Sequence, residues 1–272
     1  MRPSRRALFG ALLSMLGLVI GGAASVAAEN VVEIPSRPGQ TIRTLIGKPA
    51  APAAAAVVLL AGGHGHLAIA RDGQLGWGSG NQVIRTRADY AKSGFVTLVP
   101  DVAPDLADGS GVKSGYRWSE AHARDLGAVI KHARSLAKRV YLVGTSRAAL
   151  SVTNAAARLM GPEAPDAIVI TSGMIAHITD KQPSAERMVG RLDRIKQPVL
   201  LVFHEKDGCS YTPASSSAHA KSLFSAAAKV DVVILSGGSA GQGDPCEARS
   251  PHGFLGLDDK VVATISQWLG RL

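Results

Sequence analysis

The chain has 272 residues, of which 46% are hydrophobic and 19% charged, so it is long enough to bury one large core. No composition break or Pro/Ser-rich linker divides it after the first segment, which favours a single domain. The formal net charge of +9 comes from scattered lysines and arginines with few aromatic residues between them, so nucleic-acid binding has little support.

The first 28 residues have the order of a secretory signal peptide. Arginines at 2, 5 and 6 precede an apolar run over 7–20, and small residues follow up to Ala28. A membrane anchor is the alternative, but the run is shorter than the roughly 20 residues that a span needs. We therefore predict cleavage near Ala28, no stable membrane span afterwards, and one domain over 29–272.

Arg5 and Arg6 also give the first residues a resemblance to a twin-arginine export signal. Either export route would deliver the protein to the periplasm or the medium. Removal of three arginines without any acidic residue lowers the net charge to about 9 − 3 = +6.

Two segments with alternating apolar residues, 30–34 and 40–46, flank the turn sequence 35–39 and predict an antiparallel hairpin. Apolar runs and helical patterns then alternate to the end of the chain. The predicted strands are 57–61, 95–99, 141–143, 167–171, 199–203 and 230–235. The predicted helices are 82–93, a long helix capped by Ser119, 151–158, 185–195, 214–228 and 261–269. This alternation predicts a mostly parallel sheet with helices on both faces, in the α/β class.

Ser146 lies where the strand 141–143 must turn into the helix 151–158. A strained turn of this kind exposes a serine hydroxyl, and small residues two positions away on each side, Gly144 and Ala148, let the helix start against the strand. The pattern G-x-S-x-A predicts a nucleophile. The alternative is a serine that caps the helix.

Polar residues follow the other predicted strands in turn. In parallel sheets, ligands bind beyond the carboxyl ends of the strands, so these residues are the candidates for a site. They are His64, Asp101, Ser146, Asp207 and His252. Serine, acid and histidine in this order match the order of an α/β-hydrolase triad.

From about residue 57 to 269 the chain resembles an α/β-hydrolase, in the manner of exported bacterial serine esterases. Four segments carry the resemblance: 62–65, 144–148, 204–209 and 250–254. It implies Ser146 as nucleophile, His252 as general base and then acid, and Asp207 as the carboxylate that orients the imidazole. Ala148 replaces the usual glycine and is small enough to leave the assignment standing.

The resemblance also implies an oxyanion hole built from backbone N–H groups. One would come from Arg147 and another from Gly63 or His64 in the glycine-rich loop after the first core strand. His64 and His66 are alternatively metal ligands, but no third ligand is evident nearby in the sequence. No cofactor motif is present, and we expect neither a cofactor nor a metal.

Two residues near the strand ends have competing interpretations. Asp101 is more readily explained as a structural cap than as a catalytic group. Glu205, two residues before Asp207, is an alternative acid, although Asp207-Gly208 fits the family turn better.

The two cysteines, Cys209 and Cys246, are predicted to form a disulfide because an exported chain meets an oxidising compartment. Two buried thiols are the alternative. The bond would tie the loop of Asp207 to the loop of His252, and we hypothesise that it fixes their geometry.

Only about one helix of chain lies between 171 and 199, so we expect little or no cap domain and an open site. Loop residues that could line it are Trp77, Tyr116, Arg117 and Trp118, and Arg117 or Arg147 could meet an acidic group. We predict an exported serine hydrolase acting on a small-molecule carboxylic ester, thioester or small amide. The alternative function is a non-catalytic protein on the same fold that binds an acidic ligand or a partner.

Overall fold

The computed structural model of the protein describes residues 29–108 and 111–272, with no description of the Asp108 side chain. The predicted signal peptide, residues 1–28, lies outside the described residues. Within the described part of the chain, no helix combines the length and apolar character needed to cross a membrane.

The molecule is built on an eight-stranded sheet, and its N-terminal hairpin forms one edge as predicted. β1 (Asn30–Pro35) pairs antiparallel with β2 (Thr41–Gly47). The core strands are β3 (Ala55–Leu60), β4 (Val96–Pro100), β7 (Arg139–Thr145), β8 (Ala167–Thr171), β9 (Val199–His204) and β10 (Val230–Leu235). The strand order is β1-β2-β4-β3-β7-β8-β9-β10, in which β2 pairs antiparallel with β4 and all later neighbours are parallel. A small antiparallel pair, β5 (Ala107–Asp108) and β6 (Gly111–Val112), stands apart from this sheet.

Helices cover both faces of the sheet, which explains why the central strands have continuous apolar sequences. On one face, Ala56, Val58 and Leu60 of β3 share a core with α3 (Glu120–Arg134) and α4 (Ala148–Arg158). On the other face, Val57 and Leu59 share a core with α1 (Gln82–Arg85) and α7 (Asp258–Leu269). The side chains alternate because successive residues of a strand point to opposite faces.

Several helices are shorter than the sequence predicts. The predicted helix 82–93 is divided at Thr86 into α1 and α2 (Arg87–Lys92), with the Thr86 hydroxyl donating to the Gln82 carbonyl at 2.9 Å. The predicted helix 185–195 is only α5 (Ala185–Met188) and a 3₁₀ turn, since Gly190 takes a φ of +60° and ends the helix. The predicted helix 214–228 contains a 3₁₀ turn and α6 (Ser217–Ser222) alone.

The short α5 segment leaves the region between β8 and β9 without a cap domain. Unlike the shortened helices, α3 begins where the sequence predicts. The hydroxyl of Ser119 caps it by accepting a hydrogen bond from the N–H of His122 at 3.1 Å. The parallel strands end at one edge of the sheet, and the candidate residues follow them there.

Candidate active site

Ser146 forms a sharp turn between β7 and α4. Its φ is +55°, a left-handed conformation that is strained for a residue with a side chain. Its N–H donates to the Thr171 carbonyl at 2.9 Å, which fixes the turn to the neighbouring strand. A Cβ on Gly144 would lie 2.6 Å from Val152 and 3.1 Å from the Cβ of Ala148, so glycine is required where the helix starts against the strand.

Asp207 and His252 meet at the ends of β9 and the last loop, 45 residues apart in the chain. Nδ1 of His252 lies 3.0 Å from Oδ2 of Asp207 and 3.3 Å from Oδ1. A carboxylate only accepts hydrogen bonds, so this contact assigns the proton to Nδ1. The N–H of Cys209 donates to Oδ1 of Asp207 at 2.9 Å and fixes the carboxylate in turn.

Thr212 joins this pair and was not identified from the sequence. Its hydroxyl donates to Oδ2 of Asp207 at 2.9 Å and lies 3.0 Å from Nδ1 of His252, where it accepts. The side chain is fully buried, so water does not compete for either bond. A threonine five residues after an acid is common in loops, and the sequence offers no signal that would separate it from the others.

The opposite nitrogen of His252, Nε2, is buried and has no hydrogen-bond partner in the described chain. Within residues 111–272, no hydrogen bond joins it to Oγ of Ser146. The structure therefore brings Asp207 and His252 together directly and leaves Nε2 available to accept a proton. In enzymes without a bound substrate, hydrogen bonds between catalytic groups are often long, and they tighten only when the substrate binds.

Cys209 and Cys246 form the predicted disulfide, with their Cα atoms 4.5 Å apart. Cys209 is buried beside Asp207. Asp207, Cys209 and His252 form a cluster of metal-ligand types in the described residues, but the Cys209 sulfur is committed to Cys246. The cluster therefore offers no free thiolate.

The loop after β3 lies directly against the Ser146 turn. A Cβ on Gly62 would stand 3.0 Å from the Cβ of Ser146 and 2.9 Å from the Thr145 carbonyl oxygen, so only glycine allows this approach. The backbone N–H groups of Gly63 and His64 donate to no acceptor within the described ranges, and the same is true of Arg147. They are the three candidate donors of the predicted oxyanion hole.

Arg117 and Tyr116 differ from their predicted position at the surface of the site. Arg117 is only 6% exposed, and its Nη2 donates to the carbonyls of Ala61, Gly62 and Gly63 at 2.9, 3.2 and 3.2 Å. Tyr116 is also buried, and its hydroxyl donates to the His64 carbonyl at 3.3 Å. Both side chains lie against the loop after β3, because the backbone carbonyls of residues 61–64 accept their hydrogen bonds.

Trp77 and Trp118 occupy different environments. Trp77 is partly exposed, and its ring lies 3.7 Å from the His64 ring and against Gly63. Trp118 packs against the core beside α3 and α4. Partial burial lowers the pKa of His64, and the nearby cations of Arg117 and Arg147 lower it further, so the ring beside Trp77 favours its neutral form.

The two acids with competing interpretations are now separated by their contacts. Asp101 accepts hydrogen bonds from the N–H groups of Leu67, Ile69 and Val102 at 2.8 to 2.9 Å, which makes it a support of the loop, as predicted. Glu205 is exposed and makes no side-chain contact with His252 in the described chain, whereas Asp207 does.

Two depressions lie along this edge of the sheet. A narrow crevice runs between the segment after β8 and Tyr211, and Gln182 in its wall accepts from the Arg147 side chain at 2.7 Å. An open cleft of about 650 Å³ lies on the other side, with His66, Arg43 and Asp101 among its lining residues. Neither depression has Ser146, Asp207 or His252 among its lining residues.

No protein-family model matches the chain, and no curated protein matches it in sequence. Solved structures match it in fold. It is similar to a dienelactone hydrolase from Anabaena variabilis, with 16% identity, a TM-score of 0.61, and coverage of 90% of this chain and 97% of that one. Est1E from Butyrivibrio proteoclasticus gives 14% identity and a TM-score of 0.59, covering 89% and 98%. An esterase from Pyrococcus furiosus gives 14% identity and a TM-score of 0.61, covering 90% and 91%. The chain therefore has the α/β-hydrolase fold, as the sequence predicted.

Proposed function

We propose that the protein is a serine hydrolase that cleaves small-molecule carboxylic esters through an acyl-enzyme on Ser146. The observation that carries this proposal is the Asp207–His252 pair, 3.0 Å apart, in which Nε2 of His252 is buried and has no hydrogen-bond partner among the described residues. A binding protein has no need of an imidazole oriented in this way, whereas a general base does.

In the proposed reaction, Nε2 of His252 takes the proton of the Ser146 hydroxyl while Oγ attacks the ester carbonyl carbon. The carbonyl oxygen gains negative charge, which the N–H groups of Arg147 and of Gly63 or His64 stabilise. The bond to the alcohol oxygen then breaks, and that oxygen takes the proton from Nε2. Water repeats the sequence on the acyl-enzyme and frees the acid.

The substrate class is also a proposal. The compared structures include esterases, a dienelactone hydrolase and Est1E with ferulic acid bound. The crevice beside Gln182 and Tyr211 has room for only about one water molecule, so we expect a short acyl group and place the alcohol part in the open cleft beside His66. A series of p-nitrophenyl esters of increasing acyl length measures this: short chains should give the highest kcat/KM, and thioester and amide analogues define the remaining range.

A fluorophosphonate probe tests the nucleophile. The wild-type protein should be labelled on Ser146, and Ser146→Ala should lose both labelling and esterase activity. Ser135→Ala, at the surface end of α3, is the matched control and should retain both. Persistent labelling of Ser146→Ala refutes the assignment. Absence of labelling and of turnover in the wild type favours the binding-protein alternative.

Export is the remaining part of the proposal. The disulfide is compatible with an oxidising compartment. N-terminal sequencing of the mature protein from the periplasm or medium should start near Glu29, and a mature protein that retains the first 28 residues contradicts the cleavage.

A further inference from the structure

Arg117 is a buried cation. Its side chain forms no ion pair with any carboxylate of the described chain, although a buried unpaired charge is costly. Instead, Nη2 donates to three consecutive carbonyls, at 61, 62 and 63, and Nη1 donates to the Ser151 hydroxyl at 3.0 Å. The guanidinium thus donates most of these hydrogen bonds to the loop that lies against Ser146.

The loop is shaped around this side chain. A Cβ on Gly65 would stand 2.4 Å from Nη2 of Arg117 and 2.5 Å from the Tyr116 hydroxyl, so a glycine at φ +85° is needed for the loop to close over them. On the other side, Ser151 of α4 also lies 3.0 Å from Nε2 of His122. The guanidinium is therefore fixed by Ser151 on α4, which in turn contacts His122 on α3.

The direction of the carbonyls fixes the direction of the N–H groups. In a planar trans peptide, the C=O of one residue and the N–H of the next point in opposite directions. The carbonyls of Gly62 and Gly63 point at Arg117, so the N–H groups of Gly63 and His64 point away from it. These same N–H groups have no acceptor within the described ranges.

We propose that Arg117 is a positioning residue of the oxyanion hole: it holds the loop carbonyls inward so that the N–H groups of Gly63 and His64 face the reacting carbonyl oxygen above Ser146. The inference rests on the proposed function and assigns to Arg117 a role different from the substrate contact expected from the sequence. Its planar fork bonds several carbonyls at once, which a lysine ammonium of similar charge does less well.

The test compares Arg117→Met with Arg134→Met. Arg134 also binds loop carbonyls, those of Pro162 and Ala164 at 2.9 and 2.7 Å, but it lies at the opposite end of the strands. Each variant is titrated with the fluorophosphonate probe, so that kcat refers to reactive Ser146 sites. Affinity for phenylboronic acid, which forms an anionic tetrahedral adduct with a serine hydroxyl, reports on the hole itself.

Arg117→Met should lower kcat per site at least about tenfold with KM within about threefold, because loss of one oxyanion donor costs roughly 10²–10³ in kcat. Boronic acid affinity should fall by a similar factor, and Arg134→Met should change neither. If Arg117→Met keeps kcat within about twofold of Arg134→Met, the inference is overturned.

Arg117→Lys decides the matter if the methionine variant does not fold. It should lower kcat about tenfold at unchanged KM, and a kcat equal to wild type overturns the role of the guanidinium. A wild-type protein that the probe does not label at Ser146 is a different result, since it refutes the proposed function and with it the hole that Arg117 would position.

Discussion

Thr212→Val removes one hydroxyl from the Asp207–His252 pair while keeping the shape of the side chain. The hydroxyl donates to Oδ2 of Asp207 at 2.9 Å and accepts from Nδ1 of His252 at 3.0 Å, so both members lose a contact together. The site is fully buried, and water cannot replace the lost group. We expect the imidazole to become less well oriented rather than displaced, since the 3.0 Å contact with Asp207 remains.

The magnitude follows from the two bonds. A hydrogen bond to a charged group contributes about 1.5–3 kcal/mol to stability, but only the part that differs between ground and transition states affects the rate. If that part is about half of one bond, the barrier rises by about 0.75–1.5 kcal/mol, which lowers kcat roughly four- to thirteenfold. The free energy of unfolding should fall by about 1–3 kcal/mol, because Oδ2 of Asp207 loses a buried donor.

Steady-state kinetics with p-nitrophenyl acetate and denaturant unfolding give both quantities. KM should change little, because Thr212 is buried and away from the solvent side of the cleft. Thr212→Ser keeps the hydroxyl and should restore most of kcat. Retention of kcat within about twofold in Thr212→Val contradicts this role of the hydroxyl. So does a Thr212→Ser variant as slow as Thr212→Val, since the hydroxyl alone would then not account for the rate.

Three further predictions concern the acid, the disulfide and a buried histidine. Asp207→Asn should lower kcat by about 10⁴ while Glu205→Gln leaves it near wild type, and equal losses in the two variants would restore Glu205 as a candidate. Replacing both Cys209 and Cys246 by serine should lower the free energy of unfolding by about 4 kcal/mol, since the two cysteines are 37 residues apart. The variant should also have a lower kcat at a temperature where both proteins are folded. An unchanged kcat at that temperature means that the disulfide contributes to stability alone. Burial lowers the pKa of His122 to about 3, so below pH 6.5 the unfolded chain binds a proton that the folded chain does not. The free energy of unfolding should therefore fall by several kcal/mol between pH 6.5 and 3, and it should fall less in His122→Gln. Equal acid sensitivity of the wild type and His122→Gln contradicts this prediction.

The fold was predictable from the sequence because its central strands are buried on both faces. The continuous apolar runs of β3 and β9 are fully buried, and short polar turns mark their ends. The helices were predicted less well where tertiary contacts decide their length. The segment after β8 has helical character in sequence, yet Gly190 ends α5 after one turn.

The candidate site residues could be named from the sequence for a related reason. Ser146, Asp207 and His252 each follow a strand or a turn that the pattern predicts, and parallel strands end at one edge. Thr212 was missed because nothing in a single threonine distinguishes a bond to Asp207 from a bond to water. Its role depends on the meeting of β9 and the last loop, which the local sequence does not contain.

Arg117 and Arg85 illustrate why the loops could not be predicted. Arg85 donates to the carbonyls of Gly253 and Gly80 at 2.6 and 2.9 Å, and so joins the loop that carries His252 to the loop before α1. Arg117 binds backbone carbonyls and a serine hydroxyl, which offer no complementary charge to search for in the sequence. Arg85 also pairs with Asp258 at 2.7 Å, but this acid lies 173 residues away in the chain. A charged residue is expected at the surface. Here Arg117 is buried and Arg85 partly buried, and their bonds to backbone carbonyls support the loops that they contact.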